Sequence, residues 1–191
     1  LYTLINTELM PEKNIFKIGW IFTAVVFSAV LIPILVQEGM FLDGVTYAAI
    51  SKNLANGYGS FWFPQYTQTH FSQFHEHPPL VFGLQALFFK LFGNGFLTER
   101  IFTLFTAILT AIGIVANWNL FNSANKNYSW VPVLFWIATP LIFWSYQSNM
   151  LENTLAFCCL FAVYFLAKGS LKNNFLYLSL GSLFIFLALL T

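Results

Sequence analysis

Apolar runs separated by short polar breaks make up most of the chain, and one long polar interval interrupts them. The runs cover residues 18–36, 101–120, 131–146, 151–167 and 175–191. Crossing the hydrocarbon core takes about 20 apolar residues in a helix, with roughly 17 to 25 as the working range. The pattern therefore predicts five membrane spans. Pro33 near the end of the first run, and Pro132 and Pro140 in the third, do not argue against helices, because a bundle can satisfy the backbone groups a proline frees. The polar interval, residues 37–100, reads as a loop outside the bundle.

Inside that interval the pattern changes twice. Tyr47, Ile50 and Leu54 fall at i, i+3 and i+7, and Asn56-Gly57 supplies a stop, which predicts a short helix over Val45 to Asn56. The following stretch is irregular and aromatic, with Phe61, Trp62, Phe63, Tyr66, Phe71 and Phe74. Such rings suit a membrane-interface belt and equally a surface on which sugar rings stack. After Pro78-Pro79 a second helix is expected over Leu80 to Phe92. At about 1.5 Å per residue it reaches roughly 20 Å, short of a hydrocarbon core of about 30 Å, so it is expected to lie along the interface.

Composition fixes the class. Hydrophobic residues make up 58% of the chain and charged residues 8%, against about a quarter charged in soluble domains, so this is an integral membrane protein. A net charge of +1 and no basic run leave no footprint for nucleic acid. Cys158 and Cys159 are adjacent within an apolar run and read as packing residues. Lys13 and Lys17 precede the first span, while Glu38 and Asp43 follow it. The positive-inside rule then places residues 1–14 in the cytoplasm and the 37–100 loop outside. With the Leu80–Phe92 helix flat, Lys126, Lys168 and Lys172 join the inner cations, leaving Lys52, Lys90 and Arg100 outside. The N-terminal segment has no cleavage pattern and reads as an uncleaved start-transfer segment. The last run stops at Thr191 with no polar exit, so residues 15–191 are expected to be one membrane domain that continues beyond this point.

Charge placement also suggests chemistry. In this topology Glu38, Asp43, Glu76, Glu99 and Glu152 all sit at the outer face. Asp43 is either a helix N-cap or a catalytic carboxylate. Glu76 lies between His75 and His77, a trio that is a candidate for hydrogen bonding to substrate or carboxylates, or for metal ligation. Glu152 is either a favourable charge at a helix start or part of a site. Lys52 and Arg100 either snorkel to the interface or bind a phosphate. No ionisable Asp, Glu, Lys or Arg lies mid-span, where transporters place theirs. A non-catalytic transporter or lipid- or glycan-binding module is the alternative reading.

The ordered set Asp43-Gly44 with Tyr47 and Asn53, Glu76 in His-Glu-His-Pro-Pro-Leu, Phe92-Gly93, Glu99-Arg100 and Met150-Leu151-Glu152-Asn153-Thr154-Leu155 resembles the GT-C membrane glycosyltransferases. The branch it is most similar to contains the protein O-mannosyltransferases and the lipid A aminoarabinose transferases, over their N-terminal portion from Ile15 on. The resemblance implies an all-α polytopic bundle with interfacial helices in a long first extracytoplasmic loop. It also implies a sugar donor carried on a polyprenyl phosphate, a hexose or pentose transferred with inversion, and a lipid, glycan or protein acceptor. The site would lie on the extracytoplasmic side of a plasma (inner) membrane. Asp43, Glu76 and Glu152 take the family's acid positions and are the expected catalytic residues. Tyr47, Lys52, His75, His77 and Arg100 are the expected substrate contacts. No cofactor is required by the pattern, and a divalent metal on Asp43, Glu76 and His77 is left open. Many family members have Asp-Glu where this chain has Asp43-Gly44, and several have a lysine in place of His77.

Overall fold

A computed structural model describes residues 12–191, so all but the last residues of the expected cytoplasmic segment 1–14 lie outside the described residues. The chain forms α1 (Glu12–Val36), α2 (Leu42–Ala55), α3 (Leu80–Phe92), α4 (Phe96–Phe121), a 3-10 turn (Ser123–Tyr128), α5 (Trp130–Ile137), α6 (Pro140–Gln147), α7 (Glu152–Lys172) and α8 (Phe175–Leu189). Among the described residues there is no sheet, only an isolated antiparallel bridge between Gly59 and Pro64. The protein is an all-α polytopic membrane protein. Helices α1, α4 and α7 are long and apolar enough to cross a membrane; α1 and α4 contain the expected runs 18–36 and 101–120, and α7 starts one residue inside the run 151–167.

The other two runs take a different form. Residues 131–146 are not one helix but two eight-residue helices, α5 and α6. The break falls before Pro140, whose ring lacks an N–H and would clash with the carbonyl four residues back if the helix continued. At the first position of a new helix the missing N–H costs nothing. Thr139 closes α5 by donating its hydroxyl to Phe135 O at 2.9 Å. Helix α8 has 15 residues, roughly 22 Å at the α-helical rise.

Contacts at the helix ends show where the long loop lies. The buried guanidinium of Arg100, in the first turns of α4, donates to Gln37 O at 3.0 Å and Gly39 O at 2.6 Å just after α1, and to Gln147 O at 2.8 Å at the end of α6. Lys52 on α2 pairs with Glu99 on α4 at 3.2 Å. The interval 37–95 therefore leaves and re-enters the bundle at one end, and α3 does not carry it to the other. The α8 exit reaches the same end, where Leu190 O accepts from Leu80 N at 2.9 Å. At the far end the ring of Trp130 lies over Gly19.

Within the bundle, small residues set the spacing. Gly113 faces Leu160 across α4 and α7, while Gly169 faces Leu178 and Gly181 faces Leu166 across α7 and α8. Apolar helices in lipid gain nothing from burying more apolar surface, so close backbone approach and interhelical hydrogen bonds hold them together. Asn117 supplies such a bond to Leu160 O at 2.9 Å. Thr110 and Tyr146 share another at 2.9 Å.

Candidate active site

Three separate segments each bring one acid to the loop end of the bundle. Helix α2 begins at Leu42, earlier than expected, so Asp43 lies in its first turn and not at the N-cap. That position belongs to Phe41, which makes no side-chain cap bond. Asp43 is thus a first-turn acid, favourable beside the unpaired N–H groups there. Glu152 is the first residue of α7. Its neighbour Asn153 holds it by donating to Ser145 O at 3.0 Å and accepting the Ser145 hydroxyl. Glu76 lies in the irregular segment before α3, which is pinned by Phe74 N donating to Pro64 O at 2.7 Å.

What brings the acids together is the apolar cluster beneath them. Tyr47, Ile50, Phe74, Val81, Phe82, Phe102 and Leu151 are buried against one another. Tyr47 lies one helical turn after Asp43, Phe74 two residues before Glu76, and Leu151 next to Glu152. Each acid is therefore the polar neighbour of a residue in one core. Burying these side chains, at about 25 cal/mol per Å² of apolar area, also fixes the carboxylates above them.

Above the core is a cleft of about 520 Å³ whose lining includes Asp43, Glu76, Glu152, Tyr47, His77 and His70. Tyr66, Thr46, Phe71 and Phe74 complete much of its wall. Tyr47 records the electrostatics. Its phenol is pushed up from 10 to about 12, first by burial and then by the negative charges of Asp43, Glu152 and Glu76. It stays protonated at any ordinary pH. Its hydroxyl lies 3.3 Å from His77 Nε2, with the two rings edge-to-face at 5.4 Å.

The remaining expected contacts lie elsewhere. Arg100 does not line the cleft: its guanidinium serves the three backbone carbonyls given above. Lys52 does not line it either. Its ammonium is engaged by Glu99 and lies 5.3 Å from the centre of the Phe89 ring. His75 is exposed and outside the lining. In place of these cations the cleft has His70, which the sequence reading left unassigned. Its ring makes no hydrogen bond and packs edge-on against Phe71 at 4.6 Å. The turn presenting it is closed by Thr67 Oγ1, which donates to His70 O at 2.6 Å and accepts from His70 N at 2.7 Å. The signal for it in the sequence is its place in the polar stretch shared with Glu76 and His77. Asp43, Glu76 and His77 do not converge as metal ligands; among the described residues no three His, Cys, Asp or Glu side chains are grouped to hold an ion.

Residues 76–191 match the family model described as dolichyl-phosphate-mannose-protein mannosyltransferase. The match takes in Glu76 and Glu152 and begins after Asp43. No curated protein and no solved structure matches the chain.

Proposed function

This chain belongs to the dolichyl-phosphate-mannose-protein mannosyltransferase family of GT-C membrane glycosyltransferases, and on that premise we propose that it moves a sugar from a polyprenyl phosphate to an acceptor hydroxyl in the Asp43–Glu76–Glu152 cleft. The observation that carries this reading is that three acids, distant in sequence, share one cleft over one core.

Asp43 is the general base. It takes the proton of the acceptor hydroxyl as that oxygen attacks the anomeric carbon from the face opposite the phosphate, and the bond from that carbon to the phosphate oxygen breaks. The products are the inverted glycoside, the free polyprenyl phosphate and a proton on Asp43 that passes to water. A lipid phosphate is a good leaving group and needs no strong acid. Glu76 and Glu152 orient the sugar hydroxyls. Phosphate accepts hydrogen bonds only, as do ionised carboxylates, so the donors it needs come from the imidazole N–H groups of His70 and His77; an imidazole always keeps at least one. Tyr47 orients His77. The candidate metal ligands do not group, and no step passes through a metal.

Lys13 and Lys17 ahead of the first span, by the positive-inside rule, support an extracytoplasmic site. The test is to reconstitute the protein in liposomes with a labelled polyprenyl-phosphate sugar and a panel of lipid, glycan and Ser/Thr-peptide acceptors, and to follow release of polyprenyl phosphate. Release is expected. Protein that binds the donor without consuming it would instead favour a glycan- or lipid-binding module.

A further inference from the structure

A smaller hollow of about 250 Å³ opens beside the acid cleft, lined by Asn53, Tyr58, Gln65, Tyr66, Thr67 and Gln68. Tyr66 lines both, so the two hollows share a wall. The hollow is held by a single residue of α2. Asn53 accepts from Tyr58 N through its backbone carbonyl at 2.9 Å. Its side-chain amide donates to Gln65 O at 3.0 Å and Tyr66 O at 2.7 Å. Gly57 and Gly59, at φ 86° and 77°, turn the chain sharply on either side of Tyr58, a conformation that glycine adopts without strain. Both walls are thus fastened to the helix that carries Asp43, and a site on a rigid element keeps its geometry.

The lining chemistry narrows the occupant. It contains no charged group. The Asn53 amide N–H groups and the Thr67 hydroxyl are spent on the frame, which leaves the side-chain amides of Gln65 and Gln68 and the phenols of Tyr58 and Tyr66; such groups both donate and accept, as sugar hydroxyls do. Two phenols add flat faces with a polar tip. An anionic acceptor such as a phosphorylated lipid would need a cation, and none lines the hollow. An extended peptide would need a groove or a sheet edge, and the nearest pairing is the isolated Gly59–Pro64 bridge.

We propose that this hollow is part of the acceptor subsite and that it seats a neutral saccharide, with Tyr66 as the shared wall past which the acceptor's reacting hydroxyl reaches into the acid cleft. The inference rests on the glycosyl-transfer reading. The experiment is saturation-transfer NMR on the full chain in lipid nanodiscs free of sugar detergents, using methyl α-D-mannopyranoside and methyl β-D-galactopyranoside as probes and a Ser/Thr peptide as rival. Tyr58→Ala and Gln68→Ala alter exposed side chains outside the acid cleft. At least one saccharide should show transfer, reduced at least fivefold in both variants and retained in Asp43→Asn. No saccharide signal, or one unchanged in the variants, overturns the proposal. A peptide signal that the variants abolish overturns it too, by making the hollow a peptide seat. Parallel donor consumption separates the two ideas. Turnover without saccharide binding here sinks the subsite alone, whereas saccharide binding without turnover sinks the transfer reading on which the acceptor role depends.

Discussion

Gly44 and Ser148 touch backbone to backbone: a Cβ at residue 44 would stand 1.9 Å from the Ser148 carbonyl oxygen. Nothing larger than hydrogen fits at this position. The first turn of α2 is set directly against the end of α6, next to the start of α7. Forcing a methyl group into that contact should cost about 1–3 kcal/mol and move Asp43 relative to Glu152. Gly44→Ala is therefore expected to lower both the melting temperature and the transfer rate. Wild-type values for both would contradict the contact.

Arg100 clamps the ends of three helices through backbone carbonyls. A lysine keeps the charge but has no planar fork to serve carbonyls on two segments at once. Arg100→Lys should lose about 2 kcal/mol of stability, on the scale of hydrogen bonds made by charged groups. The check is thermal unfolding alongside the donor KM of the folded fraction. A raised KM with unchanged melting would return Arg100 to the substrate.

Much of this was legible in the sequence, and the misses have physical causes. Helix α3 begins and ends where Pro79 and Gly93 require it to, and the acids are legible because few other polar groups occur in so apolar a chain. The break before Pro140 was underweighted because bundles tolerate prolines. With the helix taken to start at Val45, Asp43 reads equally as a cap or a catalytic acid; the close approach of Gly44 to Ser148, over a hundred residues away in sequence, leaves no trace in the local pattern. The partners of Arg100 are backbone carbonyls, which leave no trace in residue types. Glu99, the partner of Lys52, is 47 residues distant.

The Lys52–Glu99 pair joins α2 to α4 with Glu99 buried and Lys52 about one-third exposed. A double-mutant cycle with Lys52→Gln and Glu99→Gln should give a coupling of about 1 kcal/mol, the upper end for partly solvated pairs. Strict additivity would mean that the pair does not tie the helices.

Tyr47 predicts an alkaline limit. Its folded-state ionisation lies near 12 and its ordinary value near 10, so above pH 10 the unfolded state releases a proton that the folded state keeps. The stability this group contributes is fully present below pH 10 and is lost as pH rises towards 12. Melting temperatures of wild type minus Tyr47→Phe should be level from pH 7 to about 10 and fall above it. A flat difference through pH 11.5 would contradict both the burial of the phenol and the acids around it.

The most direct test of the account is the rate of sugar transfer from a labelled polyprenyl-phosphate donor by wild type and Asp43→Asn, with donor affinity and melting temperature measured in the same preparations. Loss of a general base should slow transfer roughly 10²- to 10⁴-fold while donor affinity and folding hold. A variant that turns over within about threefold of wild type would contradict the central claim, because a cleft whose first acid is dispensable is not the active site described here.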